Sequence, residues 1–120
     1  MERYPVGSEG WAEATAYAFD MVRHEECAEV AKPEWWNDEE LKALSARVVR
    51  AAPDYLATNR MRAEVLTGQH SAWEAGPRSA AELKKAATHF DRAAALSHAP
   101  AVKAALAAKA ERFRSQAVAM

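Results

Sequence analysis

Two prolines 47 residues apart, Pro53 in the run AAP and Pro100 in HAP, limit the architecture of this 120-residue chain more than any other feature. Each follows a stretch of helical apolar spacing that ends in alanine, and each precedes another such stretch. A proline has no amide hydrogen for a helix interior, but it suits the first turn of a new helix. Connections this short cannot carry the chain far, so the helices flanking each proline are expected to fold back as antiparallel pairs. The unit helix, tight proline turn, helix therefore occurs twice, around Pro53 and around Pro100.

Composition agrees with a helical reading. Alanine fills 30 positions, isoleucine is absent, and the β-branched residues are eight Val and four Thr. That balance favours helix over sheet on propensity, and the chain reads as all-α. The length suits a single helical domain over residues 1–120, with an acidic N-terminal helix and linker over 1–36 and a helix-pair region over 37–120.

Five helices can be placed. Ser8 caps the first, which is expected to run to about Ala31 with Trp11, Ala14, Ala18, Met21, Val22 and Glu25 on one face. Asn37 caps the second, Glu40 stands at its third position, and Trp36 and Leu41 form a hydrophobic staple. Its stripe is Leu41, Leu44, Val48 and Ala51 or Ala52. The third starts in APDYL with Pro53 in its first turn and ends at Gly68, which suits the left-handed C-terminal position. Its broad apolar surface (Tyr55, Leu56, Met61, Ala63, Val65, Leu66) calls for neighbours on more than one side. Residues 69–78 form a loop holding Trp73. Ser79 and Glu82 then make a capping box for the fourth helix, with Leu83, Ala86, Ala87, Phe90, Ala93, Ala94 and Ser97 at helical spacing. Pro100 opens the fifth, whose stripe is Val102, Leu106, Ala110, Phe113 and Ala117.

Net charge is only −1, which points to neither a nucleic-acid binder nor a membrane-surface protein. Its distribution is uneven: residues 1–40 carry −8 and residues 41–120 carry +7. The acidic and basic parts either pack side by side or leave a basic surface for an acidic partner. No stretch approaches the roughly 18 apolar residues of a membrane span. Cys27 has no second cysteine to pair with, so a reducing, cytoplasmic setting is the expectation; an import peptide removed ahead of residue 1 would leave no trace.

The run AATHFDRAAALSHAP resembles the second helix of a tetratricopeptide repeat, in which small residues flank one aromatic and a proline closes the unit. Ala86, Phe90 and Ala93 match that series. Upstream, APDYLATNRMRAEVLTG is similar to the first helix of the repeat, with Ala63 and Leu66 at the small and large packing positions. Asn59 stands where the family carries an aromatic, Arg62 where it carries leucine, and the loop around Trp73 lengthens the unit. The resemblance is best over Ala80 to Pro100 and looser over 37–117. It implies stacked helix pairs whose curved surface binds a peptide or another protein, lined by first helices.

Chemistry-bearing residues are sparse. His24 and Cys27 are three apart, which offers two ligands to a soft metal but no complete site, and no other histidine shares that spacing. Glu25, Glu26 and Glu29 read as a solvated face, and no nucleophile elbow or phosphate-cradling glycine loop is present. No enzyme, metal or cofactor is expected. A nucleic-acid reading would draw on Arg47, Arg50, Arg60, Arg62, Lys84 and Lys85, which have no interleaved aromatic platform. The expected function is a protein-interaction adaptor or scaffold for a protein or peptide partner, an acidic one if the basic part is not taken up by packing against the acidic helix. Asn59, Arg60 and Glu64 on helix three and the anchors Trp35 and Trp73 are the candidate partner-binding residues. The alternative is a structural accessory subunit of a larger complex.

Overall fold

A computed structural model of the chain describes residues 5–23, 36–68 and 76–120. Five helices follow in order: α1 (Glu9–Arg23), α2 (Asp38–Ala51), α3 (Leu56–Thr67), α4 (Ala80–Leu96) and α5 (Pro100–Ala119), with no strand among the described residues. The fold is all-α. Contacts between the pairs give their directions. Thr58 reaches Ala52 and Arg62 reaches Lys42, so α2 and α3 run antiparallel. Asn59 meets His89 while Arg78 meets Leu66, so α3 and α4 do the same. α1 packs on α2 and α3, and α5 packs on α4, which makes a stack with α3 near its middle.

The caps follow local chemistry. Ser8 Oγ accepts the Trp11 N–H at 3.2 Å, and Asn37 Oδ1 accepts the Glu40 N–H at 3.0 Å. Ser79 and Glu82 form both halves of the capping box at 3.1 and 3.0 Å. Gly68 ends α3 at φ 61°, and Pro100 opens α5.

The core has two parts that meet at α3. Trp11, Phe19, Trp36, Leu41, Val48, Met61 and Val65 fill the space between α1, α2 and α3, with the Phe19 and Trp36 rings 5.4 Å apart. Ala63, Leu83, Phe90, Leu106 and Phe113 fill the other, where the Phe90 and Phe113 rings stack at 5.9 Å. The second part is held by methyl-sized neighbours, Ala87, Ala93, Ala94 and Ala110, which let α4 and α5 approach closely.

Three expectations need correction. On α1 the buried face is Trp11, Ala12, Thr15, Ala16 and Phe19, whereas Met21 is 63% exposed. Alanine on both sides of α1 hid the register, and Phe19 decides it because a large ring gains most from burial. The segment beyond Arg23, with the expected continuation to Ala31, lies outside the described residues. Pro53 is not in α3: it sits in a turn, and α3 begins three residues later. The turn is satisfied without helix, because Thr58 Oγ1 donates to Ala52 O at 2.5 Å while Asn59 Nδ2 and Arg92 Nε donate to Pro53 O at 2.9 and 2.8 Å. Val102 on α5 is exposed rather than part of the buried stripe.

Arg78 ties three elements together. Its side chain is 6% exposed and faces Asp38 in the first turn of α2 through a fork of 2.6 and 2.9 Å. Nε donates to Leu66 O and Nη2 to Val65 O, both at 2.9 Å, and Nη1 donates to Gly76 O at 3.0 Å. All five guanidinium hydrogens are thereby used, two of them on the carbonyls that the end of α3 leaves unpaired. A side chain on Gly68 would place its Cβ 2.8 Å from this guanidinium, so glycine is required there for space as well as for φ.

Arg78→Lys supplies a point charge in place of the fork and is expected to cost about 3 kcal/mol, read as a lower urea midpoint. Asp38→Ala should cost a similar amount, and the double variant should fall well short of the sum.

Candidate functional site

The residues nominated on α3 do not form an open polar face. Asn59 is fully buried, because its amide serves the fold. Nδ2 donates to Pro53 O and to Tyr55 O, both at 2.9 Å, and Oδ1 lies 3.0 Å from His89 Nδ1. With Nδ2 spent on carbonyls, Oδ1 is the acceptor and His89 carries its proton on Nδ1. Glu64 is buried as well, 3.3 Å from Lys109 of α5. Arg60 is half-buried and lies 3.6 Å from Asp20 of α1. Arg60 and Glu64 border the crevice between α1 and α3, which is too narrow for a water molecule. Helix α3 is enclosed on both sides, so its polar residues became interior clasps. Trp35, Trp73, His24, Cys27, Glu25, Glu26 and Glu29 lie outside the described residues. Among the described residues no group of three or more His, Cys, Asp or Glu is placed to hold a metal ion.

Open space lies instead on the side of the stack formed by α2 and α4. A cleft of about 320 Å³ is lined by Lys42, Ala43, Arg62, Leu66, Ala81, Glu82 and Lys85. Its position follows from two ion pairs that bridge α2 to the start of α4 across α3: Asp38 meets Arg78, just ahead of α4, and Lys42 meets Glu82 at 2.8 Å. Arg62 reaches it from α3 beneath. Nη1 of Arg62 donates to Lys42 O at 2.8 Å and to Ser45 Oγ at 3.0 Å, which fixes the guanidinium in place. Burial draws the Arg62 pKa below its ordinary value, so the cation is held in poorly solvated surroundings. The hydrogen bond from Lys42, then that with the Ser79 backbone, keeps the Glu82 carboxyl ionised below the usual carboxylate range.

His89 stands beside this charge cluster. Burial first, and then the charges of Arg62, Lys85 and Arg92, lower its pKa to about 4. The imidazole is therefore neutral near pH 7. Lys85 adds an exposed charge at the cleft, and exposed Lys84 adds another on the same helix.

A second cleft, of about 330 Å³, opens on the other flank of α2 and is lined by Val6, Trp11, Thr15, Glu40, Ala43, Leu44 and Arg47. The Arg47 guanidinium lies 5.5 Å from the centre of the Trp11 ring. A neighbouring hollow of about 280 Å³ shares Trp11 and Arg47 with it and is lined further by Gly7, Arg50 and Ala51. Ala43 borders both clefts.

Arg62, Lys85, Arg47 and Arg50 were legible in the sequence as basic residues, but not as neighbours of one another. The available signal was Arg62 itself, a charge standing where the repeat pattern wants leucine. Comparison of the chain with protein-family models, curated proteins and solved structures finds no match. The tetratricopeptide resemblance thus rests on the residue pattern alone.

The folded chain holds His89 neutral down to about pH 4, whereas the unfolded chain protonates it near its ordinary 6.5. Above pH 6.5 both states are neutral; as pH falls from 6.5 toward 4 the unfolded state takes up the proton first and stability drops. After allowance for solvent screening the loss is on the order of 1–2 kcal/mol. Urea midpoints at pH 7, 5.5 and 4.5 should show it, and His89→Gln should flatten that part of the slope.

Proposed function

We propose that the chain is a protein-interaction adaptor, a stack of antiparallel helix pairs that holds an acidic segment of a partner protein in the cleft between α2 and α4. The observation that carries this reading is the convergence of Lys42, Arg62 and Lys85 on an apolar lining of Ala43, Leu66 and Ala81, where Glu82 is the one lining carboxylate among the described residues and Asp38 stands 3.8 Å from Lys42. A guanidinium already anchored to the backbone needs little ordering to meet a carboxylate, and its partial burial strengthens the pairing. The repeat resemblance supports the same class of role, with the peptide on a different side of the stack from the one that the family uses.

A second reading, a permanently bound accessory subunit, draws on Tyr17 and Met21, which stand 57% and 63% exposed on the outer side of α1. The two readings differ in the behaviour of the isolated chain. An adaptor sediments as a monomer and unfolds in one step, whereas a subunit stripped of its neighbours self-associates through such surface.

Fluorescence anisotropy of the intact chain with labelled peptides rich in Asp and Glu, against neutral and basic peptides of equal length, tests the reading. Acidic peptides should bind at least tenfold more tightly, with affinity falling as salt rises. Arg62→Leu installs the residue of the repeat pattern, so it should fold; together with Lys85→Glu it should abolish the preference. Equal affinity for all three peptides refutes the reading.

A further inference from the structure

We propose that this face reads a bipartite motif, in which an apolar side chain enters the Trp11–Leu44 cleft and a carboxylate three residues away enters the Lys42–Arg62–Lys85 cleft. The inference rests on the adaptor reading and adds the chemistry of the segment recognised. Its basis is Ala43, which borders both clefts and presents only a methyl group between them. Lys42 and Leu44, on either side of it in sequence, line one cleft each. An extended peptide can therefore cross α2 at its lowest point.

The spacing follows from helix width. A helix with its side chains is roughly 10 Å across, and a polyproline-II segment advances ~9 Å in three residues and returns side chains i and i+3 to the same face. A peptide crossing α2 thus sets one side chain in each cleft when the two stand three apart. The second cleft suits an aliphatic or aromatic group. Leu44 is part-buried there, Trp11 offers its remaining edge, and Val6 stands 68% exposed at the rim.

Charge fixes the rest of the motif. Lys42, Arg62 and Lys85 surround one cleft and Arg47 and Arg50 extend the other, against Glu82 and Glu40. Glu82 is engaged by Lys42, whereas Glu40 at the rim disfavours an acid beside it. An additional acidic residue beyond the apolar anchor lies over Arg47 and Arg50, away from Glu40.

Three labelled peptides test this on the intact chain by fluorescence anisotropy: an acidic peptide with Leu three residues from the central Glu, the same peptide with Leu→Ser, and one with the spacing shortened by a residue. The spaced Leu peptide should bind about tenfold more tightly than the other two. Val6→Ser, a neutral change at an exposed position, should reduce that advantage and leave the affinity of the Ser peptide unchanged. If all three peptides bind alike, the bipartite motif is refuted while the adaptor reading stands. If none binds, both fall. An unstructured single-stranded oligonucleotide that competes as well as the peptides, or a chain that dimerises through this face without peptide, overturns the proposal in favour of that occupant.

Discussion

The arrangement of these helices depends on the Arg78 guanidinium. A helix end leaves carbonyls that must find donors, and a buried cation must find acceptors. Here one group meets both needs: it takes Val65 O and Leu66 O at the end of α3 and Asp38 at the start of α2. Because Arg78 lies just ahead of α4, this junction fixes the start of that helix against both of the others. The geometry of the cleft between α2 and α4 is a consequence. With Asp38 facing Arg78, Lys42 one turn on faces Glu82 one turn on.

The clasp at the opposite end of α3 works by the same logic. The α2–α3 turn exposes the carbonyls of Ala52, Pro53 and Tyr55, and Thr58, Asn59 and Arg92 supply the donors. Both ends of the central helix are thus pinned by polar groups, while its middle contributes Met61 and Val65 to one part of the core and Ala63 to the other. No buried side-chain nitrogen or oxygen among the described residues lacks a partner. A core built largely from alanine buries little area per side chain, so such satisfied polar contacts matter for choosing one packing among near-equivalent ones.

The proposed recognition surface inherits its properties from this frame. Arg62 borders the cleft because α3 is covered by α2 and α4 and a long side chain can reach out between them. The same enclosure removes Asn59 and Glu64 from any surface role and keeps His89 neutral. What remains open is the face where Lys42, Arg62 and Lys85 stand on rigid helices, with Glu82 the one carboxylate among the described residues that line the cleft.

Helix count, caps and most stripes were legible from local rules. Asn37, Ser79 with Glu82, Gly68 and Pro100 each act within one turn of chain, and the spacing of Leu83, Phe90, Leu106 and Phe113 is a property of the helix they occupy. The face of α1 was not legible, since alanine is at home on either side, and neither was the fate of Asn59, Arg60 and Glu64. A polar residue on a helix is read as solvent-facing until a second layer covers it. Sequence alone therefore determined the order of the helices, most of their caps and the pairing across tight turns, because those depend on neighbours a few residues apart. Only the tertiary structure decided which polar groups became clasps and which were left lining an open cleft, because that depends on residues some 40 positions apart, such as Asp38 and Arg78, being brought into contact.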